Sequence, residues 1–357
     1  KELLGINTIS TLDNIFSLGA NSIHLIQVAG KIHADLGIEL SILDLFNTPI
    51  IKDQAEKIQS SQKTNYNEIP NVAQAESYTA SSSQFRLWIL SQYEESSLAY
   101  HMPDYLEIET AFNITLFKKA IFAVIERHEI LRTVFTNIQG EFRQVVKESN
   151  ELNFTIDYKD FRRTNNTEQA VASYIETDSY VQFDFENGPL IRMALLHTGE
   201  DNYVFYYNMH HVISDGWSKN ILARDVMAYY KAFVTNTACE LPELSIQYKD
   251  YASWQQAQLS SNAFQKHKEF WLEQLAGTLP VFDLPSTKIR PKVYNYSGKR
   301  LVTYLSPETT QTLKQYCTEK QGTLFVGLLA IWKILLRKYS GQEDIIMGSP
   351  VSGRDHL

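Results

Sequence analysis

The sequence predicts a small all-α helical bundle followed by a larger α/β region in two lobes. In the first sixty residues, apolar side chains recur at helical spacing. From Glu76 onward, strand-like segments alternate with helix-like segments, as in an α/β or α+β sandwich. This alternation starts again after residue 290, which predicts a second lobe of similar construction. A chain of 357 residues is long enough for about two or three domains.

The composition argues against several classes of protein. Hydrophobic residues make up 44% of the chain and charged residues 21%, as in ordinary globular proteins. The net charge of −8, with no basic run, argues against a nucleic-acid partner. No apolar stretch is long enough to cross a bilayer and no signal peptide is present, so no membrane partner is expected. Cys239 and Cys317 lie far apart, offer no metal-ligand spacing and suit the cytoplasm.

Residues 1–58 are predicted to form the helical bundle, with a first helix that is cut short. The apolar pattern is already under way at Leu3, as in the tail of a helix. The main helix can be capped by Asn21 or Ser22, and Gly37 ends it. Two shorter helical segments complete the bundle. The polar residues 59–73 lack periodicity and are predicted to be a flexible linker.

Ser22 is the candidate modification site of the bundle. It lies at a helix start behind a flexible loop, near the positive end of the helix dipole, where a phosphodiester is favoured. Serine is also a favoured N-cap residue, and from position alone this structural role is the commoner one.

The larger region contains alternating segments. Helical patterns cover residues 81–95, 115–130, 167–183, 218–234, 248–258 and 264–277. Strand patterns cover residues 102–110, 131–135, 141–146, 189–198 and 203–211, of which the last two could pair. After a proline-rich break, the second lobe is predicted to contain a strand at 298–305, a helix capped by Ser306, a buried helix at 323–339 and a strand plus loop at 343–353.

The stretch 203–217, YVFYYNMHHVISDGW, contains the candidate catalytic residues. Its aromatic and β-branched residues predict a buried strand that ends at His210 and His211. Because successive strand side chains point to opposite faces, one histidine can do chemistry while the other packs. A neutral imidazole is the natural proton acceptor at cellular pH. On these residues alone, a strand end with two satisfied histidines is an equally good interpretation, and Asp215 could orient the imidazole or pair with a cation.

The residues FSLGANSI at 16–23 resemble the phosphopantetheine attachment site of acyl and peptidyl carrier proteins, Leu-Gly-Gly-[Asp/His]-Ser-[Ile/Leu]. The resemblance implies that Ser22 carries 4′-phosphopantetheine, installed by a phosphopantetheinyl transferase. Ala20 and Asn21 depart from the pattern, and the hydroxyl is retained.

Five motifs stand out in the larger region: SSSQFRLWIL (81–90), RHEILRTVF (127–135), MHHVISDGW (209–217), YKDYASW (248–254) and GSPVSGR (348–354). They resemble, in order and content, motifs of the condensation domains of non-ribosomal peptide synthetases, which belong to the chloramphenicol acetyltransferase-like superfamily. The resemblance implies a two-lobed condensation domain at 74–357, with a first lobe at about 74–245 and a partial second lobe at about 246–357. The wording ISDGWS is most similar to the subtype that joins two L-configured units.

The resemblance also implies a reaction and its residues. An acyl or peptidyl thioester would pass to the amine of a downstream aminoacyl thioester, with His211 positioning and deprotonating the amine. The Gly216 N–H would be an oxyanion donor, and His210 would pack in the core. Asp215 would hold the loop by pairing with Arg132. The partners would be upstream and downstream carrier and adenylation domains, and no metal is expected.

The family pattern continues beyond GSPVSGR, so the chain is expected to be a fragment, truncated at both ends, with an incomplete second lobe. Two other functions stay open at this point. The region could dock carrier domains without turnover, or it could be a free-standing acyltransferase that uses an acyl-coenzyme A thioester.

Overall fold

The computed structural model describes residues 2–6, 8–20, 22–61, 69–93, 98–285, 301–320 and 322–349. The chain divides into two compact units. The first draws on Lys1–Glu68, Ala276–Ile289 and Lys299–Leu357, and the second on Ile69–Leu275 and Arg290–Gly298. Within the described ranges, no helix is long and apolar enough to cross a membrane.

The N-terminal part of the first unit is the predicted helical bundle. Its helices are α1 (Ser22–Leu36), α2 (Ile42–Asn47) and α3 (Ile51–Ser60). Ser41 caps α2, because its hydroxyl accepts the Asp44 N–H at 3.0 Å while the Asp44 carboxylate accepts the Ser41 N–H at 3.1 Å. The helices enclose an apolar core of Ile15, Leu25, Ile38, Leu40 and Leu45.

The second unit is an α/β structure. Its helices are α4 (Ser82–Ser91), α5 (Ile114–Arg127), α6 (Thr167–Ser179), α7 (Gly216–Thr235), α8 (Tyr248–Leu259) and α9 (Gln265–Gln274). Its strands are β1 (Tyr78–Thr79), β2 (His101–Ile108), β3 (Thr133–Ile138), β4 (Glu141–Val146), β5 (Ile156–Asp160), β6 (Ile191–His197) and β7 (Tyr203–His210).

The strands form two sheets. One has the order β1-β4-β3, and the other, with four strands, has the order β2-β7-β6-β5. Strand β7 is antiparallel to both β2 and β6, so the predicted pairing of the last two strand segments is confirmed. Strand β5 runs parallel to β6.

Helices cover both faces of the four-stranded sheet. On one face, Phe205 and Met209 of β7 belong to a large core with residues of α5, and Leu222 and Val226 of α7 pack against it. On the other face, Val204 and Tyr206 of β7 form a smaller cluster against α6. Strand β7 is thus buried on both sides, which explains why its sequence is nearly continuously apolar and aromatic.

The predicted linker is only partly within the described residues, since residues 62–68 lie outside them. Its end is anchored to the second unit. Ile69 is buried, and the Val72 N–H donates to the Asp250 carboxylate at 2.8 Å. The other oxygen of Asp250 accepts the Gln247 N–H at 2.7 Å. The expectation of a free, flexible stretch is therefore wrong for residues 69–73.

The described residues from 301 onward form α10 (Pro307–Glu319) and α11 (Leu324–Ser340). Ser306 caps α10 as predicted, since its hydroxyl accepts the Thr309 N–H at 3.1 Å. The strand expected at 298–305 is wrong for its described residues 301–305, and the strand expected at 343–353 is wrong for residues 343–349. The burial predicted for 323–339 is also wrong within the described chain. No side chain of α11 is buried.

Gly188 offers a test of packing in the loop that leads into β6. Its φ is +65°, and a Cβ there would lie 2.8 Å from Val134 Cγ1. We expect Gly188→Ala to lower the free energy of unfolding by about 2–4 kcal/mol, the sum of left-handed backbone strain and overpacking. Urea denaturation monitored by circular dichroism measures this loss.

Gly140→Ala is the matched control. Gly140 also has a positive φ, +87°, but a Cβ there would have nothing within 4 Å. It should carry only the backbone strain, about 1–2 kcal/mol. Equal losses in the two variants would contradict the packing argument.

Candidate active site

The end of strand β7 places the two histidines in different surroundings. The strand ends at His210, whose N–H donates to Leu190 O at 3.0 Å, and the His211 N–H donates to Tyr100 O at 2.9 Å. His210 is 1% exposed, whereas His211 lies in the following turn and is exposed. Of the pair, only the His211 side chain is open to a substrate.

The His210 ring is packed among aromatic rings and shapes the turn after β7. The centroid of the Phe185 ring is 4.8 Å away, and that of His101 is 5.8 Å away. Its Nδ1 accepts the Val212 N–H at 3.0 Å. Burial, with smaller effects of His101 and His211, lowers the pKa of His210 to about 3. The ring is therefore neutral near pH 7, as an acceptor from a backbone N–H must be.

Asp215 is the N-cap residue of α7. Its Oδ1 accepts both the Ser218 N–H at 2.8 Å and the Ser218 hydroxyl at 2.7 Å, and its own N–H donates to Ser218 Oγ at 3.3 Å. A carboxylate at this position also interacts favourably with the helix dipole. Gly216 is the first residue of α7, and it is exposed. Trp217 is 42% exposed, although large aromatic side chains favour burial.

Arg132 is buried at the open end of the β3–β4 hairpin, where β3 begins and β4 ends. Its Nη1 donates to Lys147 O at 2.5 Å, and Nη2 lies 4.0 Å from Glu129 Oε1. The ion pairs among the described residues do not include the expected one between Arg132 and Asp215. The Asp215 carboxylate instead caps a helix, and Arg132 holds the end of a hairpin.

Three of the motifs come together around the histidine turn. Gln84, in the first motif, is buried, and its Nε2 lies 3.5 Å from Val212 O, beside His211. Ser81 caps α4, and its hydroxyl hydrogen-bonds the Tyr248 hydroxyl at 3.0 Å. Of the motif at 348–354, Gly348 and Ser349 form no helix or strand, and residues 350–354 lie outside the described residues.

Asp225 is a site-supporting residue that the sequence analysis did not identify. This fully buried carboxylate of α7 accepts from His128 Nε2 at 2.8 Å, Arg127 Nε at 3.2 Å and Arg224 Nε at 2.9 Å. Burial alone would raise the pKa of Asp225, but the hydrogen bonds from His128 and Arg224 lower it below the usual value. Burial disfavours the charged imidazolium and so lowers the pKa of His128. The sequence does contain an indication of this role. Asp225 lies at helical spacing from Leu222 and Tyr229, which places a charged residue on the side of α7 that faces the core.

Ser22 is the first residue of α1, and its side chain lies outside the described part of the structure, as does Asn21. The loop before it is closed by local backbone hydrogen bonds. The Gly19 N–H donates to Phe16 O and the Ala20 N–H to Ile15 O, each at 3.0 Å. The first turn of α1 contains no acidic residue, so the positive end of its dipole is not neutralised by a carboxylate there.

Comparisons with known proteins agree with this geometry. Residues 74–357 match the family described as the condensation domain, and residues 1–58 match the family described as the phosphopantetheine attachment site. The chain is 36% identical over 354 residues to gramicidin S synthase 2 of Aneurinibacillus migulanus, covering 99% of this chain and 8% of that protein. It is 36% identical over 357 residues to tyrocidine synthase 3 of Brevibacillus parabrevis, covering 100% and 5%. The chain thus spans less than a tenth of the length of these curated relatives.

Solved structures show the same fold. The X-domain from teicoplanin biosynthesis has a TM-score of 0.66 at 22% identity, covering 76% of this chain and 59% of that one. A mutant starter condensation domain of the rhizomide synthetase RzmA, in complex with C8-CoA and Leu-SNAC, has a TM-score of 0.64 at 19% identity, covering 76% and 60%. The predicted condensation-domain fold is confirmed.

The buried carboxylate of Asp225 gives a stability prediction. Asp225→Asn should lower the free energy of unfolding at pH 7 by on the order of 3 kcal/mol, because it leaves the charge of Arg127 buried without its partner. Since the folded-state pKa of Asp225 is lowered, its contribution is fully present above about pH 4 and is lost as the pH falls through the folded value. Denaturation curves of both proteins at pH 7, 5 and 3 measure this difference.

Asp160→Asn is the control, because Asp160 pairs with Arg162 at the surface. This variant should unfold nearly as the wild-type protein does. A gap between Asp225→Asn and wild type that persists unchanged into acid would contradict the charge argument.

Proposed function

Because the chain belongs to the condensation-domain family and carries a phosphopantetheine attachment site ahead of that domain, we propose that it forms amide bonds in non-ribosomal peptide synthesis. The amine of a carrier-bound aminoacyl thioester attacks the carbonyl carbon of an upstream acyl or peptidyl thioester. A C–N bond forms, the C–S bond breaks, and the upstream thiol leaves. The amine must lose a proton along the way.

The exposure of His211 beside a neutral, buried His210 is the observation that carries this proposal. A neutral, exposed imidazole can hold an amine by a hydrogen bond and accept its proton during or after attack. His210 cannot share this work, because it is buried and its Nδ1 is already bonded to the Val212 N–H. We therefore assign the positioning and deprotonation of the amine to His211.

The start of α7 supports a second role. The first N–H groups of a helix have no partner within the helix, and the dipole favours negative charge there. Gly216 is the first residue of α7, and nothing lies within 4 Å of the position of a Cβ, so a substrate can approach its backbone closely. We assign the Gly216 N–H to the developing oxyanion of the tetrahedral intermediate.

The remaining residues support the site. His210 holds the turn through Val212, Asp215 caps α7, and Arg132 fixes the end of the β3–β4 hairpin. These contacts replace the predicted direct pairing of Arg132 with Asp215 as the source of rigidity.

The N-terminal bundle suits a carrier role. Ser22 begins a helix of 15 residues whose first turn contains no acidic residue, a setting compatible with a phosphodiester. Ser22 would hold 4′-phosphopantetheine, which supplies the thiol that carries a substrate as a thioester. A phosphopantetheinyl transferase would install the group, and the further partners would be the carrier and adenylation domains of one assembly line. The two free cysteines accord with a cytoplasmic setting.

Replacing His211 tests the catalytic assignment. In a complete module with loaded carriers, His211→Ala should lower the rate of peptide formation by about 10²-fold or more, as expected for loss of a general base. Its melting temperature should stay at the wild-type value, since the side chain is exposed. Quenched-flow analysis of product by mass spectrometry measures the rate.

His267→Ala, which removes another exposed histidine, should leave the rate unchanged. Near-normal condensation by His211→Ala would overturn the assignment. A module that only docks carrier domains would form no peptide, either as the wild-type protein or as His211→Ala. The wild-type rate therefore distinguishes catalysis from docking without turnover.

Replacing Ser22 tests the carrier role. Incubation with coenzyme A and a broad-specificity phosphopantetheinyl transferase should add the mass of one phosphopantetheinyl group to the wild-type chain and none to Ser22→Ala. Ser17→Ala is the matched control, since Ser17 is an exposed serine in the same loop, and it should gain the full mass. A mass gain in Ser22→Ala, or no mass gain in the wild-type chain, would contradict the assignment of Ser22 as the attachment site.

A further inference from the structure

Three polar side chains on the α6 side of the four-stranded sheet, behind the histidine turn, have buried polar atoms. His101 of β2 is directly opposite His210 of β7, so the two side chains share a face, and Asn208 lies on that face two residues earlier. Each of the three has one buried atom with no hydrogen-bond partner among the described residues. These atoms are His101 Nε2, His210 Nε2 and Asn208 Oδ1.

The known contacts determine which of these atoms is a donor. His210 Nδ1 accepts from the Val212 N–H, so in the neutral ring the hydrogen is on Nε2. His101 Nδ1 lies 3.1 Å from Ser179 O, which can only accept, so His101 has its hydrogen on Nδ1 and a lone pair on Nε2.

The third atom is assigned in the same way. Asn208 Nδ2 lies 3.1 Å from the Asp178 carboxylate, which is an acceptor at neutral pH. Its Oδ1 is therefore the free acceptor. Burial lowers the pKa of both His101 and His210, so both rings are neutral near pH 7. The group thus offers one donor and two acceptors.

We propose that one buried water molecule joins these three atoms, accepting from His210 Nε2–H and donating to His101 Nε2 and Asn208 Oδ1, and that His101 thereby is a positioning residue for His211. The two rings have centroids 5.8 Å apart and share no direct hydrogen bond. Three hydrogen bonds are typical of a buried water, and leaving the three groups unpaired would be costly.

Contacts at the two edges of the His210 ring connect the water site to the turn that carries His211. Nδ1 holds the Val212 N–H, and the backbone carbonyl of His210 accepts the Ile213 N–H at 3.1 Å. If the ring turned over about its Cβ–Cγ bond, Cδ2–H would face the Val212 N–H in place of Nδ1, and the turn that carries His211 would have to rearrange. The water and His101 hold the opposite edge and prevent this rotation. This role of His101 rests on the proposed function of His211, whereas the water site does not.

Two substitutions at His101 separate the two edges of its own ring. His101→Asn has an amide nitrogen near the place of Nδ1 and can keep the bond to Ser179 O, but it has no group at the place of Nε2. His101→Gln has a longer side chain whose carbonyl can accept where Nε2 does. Both are neutral amides on the same strand position, so each is the matched control of the other.

The first readout does not depend on catalysis. In the full chain with ¹⁵N-labelled histidine, the His210 Nε2 proton should give a slowly exchanging ring N–H signal with a nuclear Overhauser contact to a bound water. His101→Gln should keep this signal and His101→Asn should lose it. An unchanged signal in His101→Asn, or a direct His101–His210 hydrogen bond in a high-resolution crystal structure, would overturn the water site.

The second readout is peptide formation in a complete module. His101→Asn should lower kcat about tenfold with little change in KM, whereas His101→Gln should restore most of the wild-type rate. Equal rates for the two variants would overturn the positioning role even if the water is found. If the wild-type module forms no peptide while the N–H signal behaves as expected, the proposed function fails and the water site stands.

Discussion

The burial of β7 on both faces is the constraint on which the site depends. Its odd-numbered residues, such as Phe205 and Met209, pack in the large core, and its even-numbered residues, such as Tyr206, face α6. A slip of one residue against β2 or β6 would exchange these two sets and place polar Asn208 in the apolar core. The register is therefore strongly specified, and with it the point at which the chain leaves the sheet. That point is His210, so His211 emerges at one defined position.

Helix α7 fixes the other side of the turn. Its N-terminus is capped by Asp215, and about three turns later Asp225 binds the basic end of α5 through Arg127 and His128. Removing one partner from such a buried network leaves an uncompensated charge, which is much more costly than losing a surface ion pair. Arg127 and His128 of the second motif thus help to fix the helix that begins at Gly216.

The sequence could predict the features that depend on local patterns. The 3.6-residue and two-residue periods located α7, β6 and β7, and the alternation of strand side chains separated His210 from His211. It could not predict distances between residues far apart in sequence. Arg132 and Asp215 are the clear case, because both charges are visible in the sequence but the contacts that they make, to Lys147 O and to Ser218, depend on the assembled fold. Trp217 shows a related difficulty, since a large aromatic residue beside a site is exposed although its type favours burial.

Under the proposed function, the two adjacent histidines would have different tasks. A general base must be free to change protonation state, so it cannot also be used to hold the backbone in place. His210 is suited to the second task, because its burial keeps it neutral and its Nδ1 available to the Val212 N–H across the range where enzymes work. If His210 were exposed, each protonation would break the bond to Val212 and move His211. Under the proposed function, burial of the His210 ring would therefore let His211 exchange protons without losing its position.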